Sequence, residues 1–246
     1  MFLKQKRWGK GITIALAFVF LFQCMGLMMP ETASAATTEL TISRLASDGK
    51  TVLEQVTVDY HFLEENLDIL GDGVTRYYCQ GPVFIDDPDP ETQEMLRWNQ
   101  EEDTNWADKD MGAVKGTNLA DLCDLVGGMD PGQELEIKAI DGFKKKFAYE
   151  NVYEYDADRE GPMAIAWWSD GKYPDTGYSD GMRLVWFAGA SEKEDGPDGP
   201  GLYHVFGNWE WREAADSKYW YYYNNTHPTT TGLSVQKVSQ INILTD

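Results

Sequence analysis

Cys79 is the residue with the sharpest chemical reading. It closes Val74-Thr75-Arg76-Tyr77-Tyr78-Cys79, a β-rich run stopped by Gly81-Pro82. A thiolate presented at a strand end is a strong ligand for a soft metal. The same thiol packed beside Tyr77 and Tyr78 is a small apolar core residue. Arg183 is second. It lies in the apolar stretch from Met182 to Ala188, where an unpaired guanidinium is costly. It therefore pairs with a carboxylate or points into a pocket, and both readings stand. His204 and Asn208 fall in Tyr203-His204-Val205-Phe206-Gly207-Asn208-Trp209, and a lone histidine there reads first as structural. The aromatic run Trp209, Trp211, Tyr219, Trp220, Tyr221, Tyr222 and Tyr223 offers faces for a carbohydrate, but aromatics in such numbers equally build a core or an interface. Lys144-Lys145-Lys146 is the one basic run and reads as the exposed part of a hairpin. No Ser-His-Asp order, paired-carboxylate signature, P-loop or Gly-x-Gly-x-x-Gly is visible.

The elements that must position these residues sit in a chain of 246 residues with 42% hydrophobic and 25% charged positions, which is globular composition. Its 41 acidic and 21 basic residues give a formal charge of -20. Such a surface repels phosphate backbones and excludes nucleic-acid binding by a basic groove. Residues 1–35 differ from the rest. Lys4, Lys6, Arg7 and Lys10 precede an apolar run from Gly11 to Met29, Pro30 breaks it, and Ala33-Ser34-Ala35 fits a cleavage site before Ala36. That order predicts a secretory signal and an extracytoplasmic mature protein, secreted or at the cell surface, with no stable membrane insertion after cleavage. A retained anchor is the alternative, because the apolar run is long enough to span. Residues 1–35 carry four bases and one acid, so their removal leaves 17 bases against 40 acids, a net charge of -23 over 211 residues. The absence of an Asp-x-Asp-x-Asp-Gly loop favours solubility over dedicated calcium binding.

The mature chain shows no repeat and no long linker, and reads as one α+β domain with a mixed sheet over residues 36–246. Val56–Leu63 reads as a strand or a strand-to-helix entry, and residues 85–111 as a long acidic excursion that Trp98 and Trp106 pin down. Asn118 caps a helix with Asp121 in its first turn and Gly127-Gly128 at its end. Leu119, Leu122, Cys123 and Val126 share one face of that helix, so Cys123 is expected in the core and not in a disulfide with Cys79. Glu134–Ile140 and Phe143–Tyr149 read as a hairpin around Asp141-Gly142. Met163–Trp168 and Met182–Ala188 read as buried strands, residues 189–201 as a polar loop, and Val235–Leu244 as a final strand.

This order of motifs resembles the molybdopterin-binding domain of the sulfite oxidase family. Val74–Gly81 resembles the family's strand ending in a Cys-x-Gly, and Lys115–Leu122 its Gly-containing helix entry. Glu136–Phe143 is similar to its strand ending in Asp-Gly-Tyr, and Gly161–Trp168 with Asp170-Gly171 to its next strand and turn. Gly181-Met182-Arg183-Leu184-Val185 and Ser234–Ile241 resemble its last two strand motifs. The resemblance implies a sulfite oxidase-like fold, with Cys79 as the molybdenum ligand and Arg183 and Lys237 as cofactor-binding residues.

The departures from that pattern point elsewhere. Gln80, Gly81, Pro82 and Val83 follow Cys79 without a nearby base, and Gln236 and Gln240 occupy basic positions of the closing strand. A pterin phosphate needs charged or backbone donors. Lys6-Arg7 is not a twin arginine, so the chain is expected to cross the membrane unfolded, whereas molybdenum cofactors are loaded before folded export. The expectation is therefore a cofactor-free extracytoplasmic binding or surface module whose small-molecule or surface ligand is unknown. The alternatives are a molybdopterin-dependent oxidoreductase using Cys79 and, third, an acidic protein binding cations or glycans.

Overall fold

A computed structural model describes residues 36–99 and 105–245. The segment 1–35 read as a secretory signal, with its Ala33-Ser34-Ala35 run, lies outside them. Thirteen strands and five α-helices are present among the described residues. β1 (Glu39–Leu45) and β2 (Val52–Asp59) open the chain, and α1 (Tyr60–Asn66) follows directly because Asp59 accepts from the Phe62 N–H as its N-cap. After β3 (Arg76–Cys79) comes α2 (Pro90–Arg97), with Asp89 as cap and Pro90 at its first turn. β4 (Asp110–Asn118) leads into α3 (Leu119–Asp124), capped by Asn118 as the sequence predicts. Gly127 and Gly128 end it with φ of 84° and 74°, and the Gly128 N–H donates to the Cys123 carbonyl at 2.9 Å.

The hairpin of β5 (Glu134–Ala139) and β6 (Lys144–Ala148) precedes α4 (Tyr149–Tyr153), β7 (Met163–Ser169) and β8 (Arg183–Trp186). β9 (Ala190–Lys193), β10 (Gly201–Phe206), α5 (Asn208–Ala214), the short ribbon of β11 (Tyr222–Tyr223) and β12 (His227–Pro228), and β13 (Val238–Leu244) complete the order.

These strands form two main sheets, which makes the fold α+β. The first has order β2-β1-β13-β5-β6, with β1 and β13 parallel and the other neighbours antiparallel. The second has order β8-β7-β4-β3-β10-β9, with β3 and β10 parallel. One apolar cluster joins them. Leu40, Ile42, Leu135, Ile137, Ile241 and Ile243 from the first sheet meet Ile165, Trp167, Leu184 and Trp186 from the second, all buried. Cys123 lies in this cluster and is a free thiol, as is Cys79. No helix among the described residues is long and apolar enough to cross a membrane.

Two local expectations are corrected. The polar loop expected at 189–201 contains β9, which pairs antiparallel with β10 from Ala190↔His204 to Lys193↔Gly201. Its side chains Ser191 and Glu192 carry no β signal; backbone pairing to a neighbouring strand decides its conformation. The lysine run is not uniformly exposed. Lys144 and Lys146 point to one side of β6 and pair with Glu136 and Glu134 at 2.7 and 2.8 Å. Lys145 points to the other, half-buried, with Nζ 3.6 Å from the centre of the Tyr221 ring.

Candidate functional site

Cys79 is the last residue of β3, between β4 and the parallel strand β10, where it lies opposite Phe206. Its N–H donates to the Lys109 carbonyl at 3.1 Å. The side chain is 1% exposed. Burial pushes the thiol pKa up to about 12, although the nearby Arg183 charge pulls it down. Desolvation wins, so at neutral pH the group is a neutral thiol and not a thiolate ready for a metal.

Arg183 begins β8 and is buried. Its Nε donates to Ser234 Oγ at 2.9 Å and its Nη1 to Asp180 Oδ2 at 2.9 Å. The pairing reading of this arginine is the one realised. Ser234 Oγ donates in turn to the Leu184 carbonyl at 2.6 Å and lies 3.7 Å from Met111 Sδ. Asp180 is a hub: Gln236 Nε2 donates to its carboxylate at 3.2 Å, and the Lys237 N–H donates to its carbonyl at 2.9 Å. Lys237 is half-buried with φ 51°, and its carbonyl accepts from the Ile140 N–H at 3.0 Å. Arg183 and Lys237 are thus brought together around Asp180, and Cys79 lies within electrostatic reach of Arg183. The Tyr178 hydroxyl, also within reach of the Arg183 charge, is buried without a hydrogen-bond partner among the described residues, and burial raises its pKa.

The peptide after Cys79 is closed by the chain itself. The Gln80 carbonyl accepts from the Thr231 N–H at 3.1 Å, and the hydroxyls of Thr229, Thr230 and Thr231 lie 3.1, 3.2 and 3.1 Å away. A carbonyl has two lone pairs, so these contacts are not all bonds at once. The geometry resolves the choice. Thr230 Oγ1 lies 2.6 Å from the Phe206 carbonyl and gives its proton there, leaving its lone pair to accept from the Gln80 N–H at 2.9 Å, an N–H that is shared with the Phe206 carbonyl at 3.0 Å. Thr229 or Thr231 then fills the second lone pair. The Gln80 side chain is buried too, with Oε1 accepting from the Asn208 N–H at 2.8 Å.

These residues do not fit a pterin cofactor as they stand. The thiol is buried and protonated, the guanidinium is committed to Asp180 and Ser234, and the strand end beyond Cys79 is occupied by the segment 229–231. Among the described residues no group of three or more His, Cys, Asp or Glu side chains is arranged to hold a metal.

His204 and Asn208 are structural. His204 Nδ1 lies 2.7 Å from the Ala188 carbonyl and its ring packs on Tyr77, while Asn208 Nδ2 donates to the Pro228 carbonyl at 3.0 Å. Asp180, Ser234 and Thr230 were not singled out from sequence. The run Thr229-Thr230-Thr231 was the available signal, since three adjacent hydroxyls in an aromatic-rich segment must find partners if buried. No protein-family model matches the chain, and no curated protein matches it significantly.

Proposed function

We propose that the protein is an exported binding module with a sulfite oxidase-like fold and no redox centre. The observation that carries this reading is the closure of the Cys79 strand end by Gln80 and residues 229–231, with Arg183 satisfied internally. A cofactor site keeps charged donors and open volume for its ligand; here the donors serve the fold. The extracytoplasmic placement is supported by the order of basic start, apolar run and Ala33-Ser34-Ala35.

Elemental analysis of protein purified from its native host tests this. Molybdenum is expected well below one atom per chain. One molybdenum per chain, lost on Cys79→Ser, overturns the reading and restores an oxidoreductase with Cys79 as ligand and Arg183 and Lys237 in the pocket. That second reading is favoured by one observation, the proximity of the Arg183 charge to the Cys79 thiol.

A further inference from the structure

The aromatic run that first suggested a carbohydrate surface is mostly spoken for. Trp211 packs edge-on against Phe147, Trp186 and Phe206, and Trp220 packs on Trp98. Tyr221 lies under Lys145, Tyr222 against Trp98 and Tyr223 against Phe84. Trp209 is different. Among the described residues its ring has no aromatic or cationic partner, and its indole N–H has no acceptor. It lines an open cleft of about 350 Å3 with Asp156, Asp158, Arg159, Ser191 and Glu210, over an apolar floor that includes Val205.

The walls of this cleft are held in place before any ligand arrives. Asp156 shapes the turn: its carboxylate accepts from the Asp158 N–H at 3.0 Å and its carbonyl from the Arg159 and Gly161 N–H groups at 3.2 and 2.9 Å. Glu160, buried beneath, accepts from Arg159 Nε at 2.7 Å and from the Asp156 N–H at 3.0 Å. The Gly189 N–H donates to the Arg159 carbonyl, and a Cβ at Gly189 would strike the Asp158 carbonyl, so only glycine lets the two segments approach. Burial holds the carboxyl of Glu210, in the first turn of α5, above the ordinary range, although it accepts from its own N–H and that of Gly207 and faces Lys193 and Arg159.

We propose that this cleft binds a neutral pyranose unit of an oligosaccharide, stacked on Trp209 and hydrogen-bonded by its hydroxyls to Asp158, Glu210, Arg159 and Ser191. A pyranose presents an apolar C–H face and a rim of groups that both donate and accept. An unstacked indole supplies the matching face. The carboxylates accept, the guanidinium donates, and the serine hydroxyl does either. The cleft has the size of a small-ligand site. The carboxylates of the rim and the surplus of acidic residues across the domain select against uronic or sulfated sugars by repulsion. The inference supplies a ligand for the binding module proposed above and rests on that reading.

Titration calorimetry of the mature chain with cellohexaose, N-acetylated chitohexaose, maltohexaose and xylohexaose tests it, with oligogalacturonate as the charged control. At least one neutral hexasaccharide should bind with Kd of about 1 mM or tighter, and oligogalacturonate should give no heat. Trp209→Ala should weaken binding at least tenfold with unchanged far-UV circular dichroism. If that variant misfolds, Asp158→Asn, at an exposed rim position, should weaken binding severalfold. No heat from any neutral hexasaccharide overturns the inference, as does binding that both variants leave intact or binding of oligogalacturonate at equal strength. Molybdenum content is independent of all these outcomes, so failure here is distinct from failure of the cofactor-free reading.

Discussion

Arg183→Met separates a guanidinium that serves the fold from one held ready for a ligand. In the folded protein Arg183 makes two bonds, Nε to Ser234 Oγ and Nη1 to Asp180 Oδ2, both at 2.9 Å. Hydrogen bonds to charged groups contribute about 1.5–3 kcal/mol each, so the gross loss is several kcal/mol. Two facts reduce it. The Asp180 side chain is 40% exposed, so its carboxylate rehydrates and keeps the Gln236 bond. Ser234 keeps the Leu184 carbonyl as its acceptor at 2.6 Å. Methionine also regains part of the packing of the arginine stem, since burying its methylenes is favourable. The net expectation is a loss of about 2 kcal/mol, or a fall in Tm of about 4–8 °C for a domain of this size. Urea denaturation followed by tryptophan fluorescence measures it, with equal m-values confirming that only stability has changed. A residue kept for ligand binding commonly costs stability, so its removal stabilises. An increase in stability for Arg183→Met would therefore refute the structural assignment of this arginine and reopen the pocket reading.

Other outcomes follow from the same geometry. With the Cys79 thiol at about 12, the thiolate fraction at pH 8 is about one in ten thousand, so iodoacetamide should leave native Cys79 unlabelled and label it in urea; rapid native labelling would show an open strand end. Cys123→Ala should cost about 1–2 kcal/mol through a small cavity, since the residue is fully buried, and a mass spectrum joining Cys123 to Cys79 would reverse that assignment. Glu134, bonded to Lys146, Tyr219 and Lys218, has its carboxyl pKa pulled down to about 2 against these partners. A lowered folded pKa stabilises above the unfolded value and is lost as pH falls through the folded one. Glu134→Gln, discounted for solvent screening, should thus cost about 1 kcal/mol at pH 7, and its deficit should shrink between about pH 4.5 and pH 2; a constant deficit would refute the linkage.

The readable part of the fold was the part governed by local rules. α3 has a side-chain cap, an apolar face of Leu119, Leu122 and Cys123 at i, i+3 and i+4, and a glycine stop, with the buried Val126 in the turn that follows, and all of these act within a dozen residues. The β5–β6 hairpin is similarly local, set by Asp141-Gly142 and alternating side chains. What was not readable depends on partners distant in sequence. β9 is polar and becomes a strand only because β10 lies beside it. α5 is hidden inside an aromatic-rich segment because Trp209, Trp211 and their neighbours blur a helical period. Lys145 differs from Lys144 and Lys146 only in which side of β6 it faces, and the Tyr221 ring that covers it lies 76 residues away in the chain. At the candidate site, Cys79 and Arg183 were identified by type. Their state was not, because it is set by Ser234 and Thr230, residues with no reactivity of their own.

A strand end becomes a site or a seal according to what satisfies its peptide groups. The carboxyl end of a strand leaves peptide groups without ladder partners, and a cleft forms there when a ligand or water satisfies them. At the end of β3 the Gln80 N–H still reaches the Phe206 carbonyl of β10 at 3.0 Å, and the chain satisfies the Gln80 carbonyl with the Thr231 N–H and a threonine hydroxyl. The Gln80 N–H is shared between the Phe206 carbonyl and Thr230 Oγ1, the Gln80 carbonyl is bonded to the segment 229–231, 150 residues later in sequence, and the Gln80 side chain binds the first N–H of α5. Moving the segment 229–231 aside to open a ligand site would leave the Gln80 carbonyl without these partners, at about 1–3 kcal/mol, while the Gln80 N–H would keep the Phe206 carbonyl. A basic residue at position 80 would instead bring a charge into this buried setting and would need a counter-ion. Glutamine suits the sealed arrangement because it donates and accepts without charge. The absence of a base after Cys79 and the closure of the strand end are therefore one feature, expressed first in residue type and then in packing.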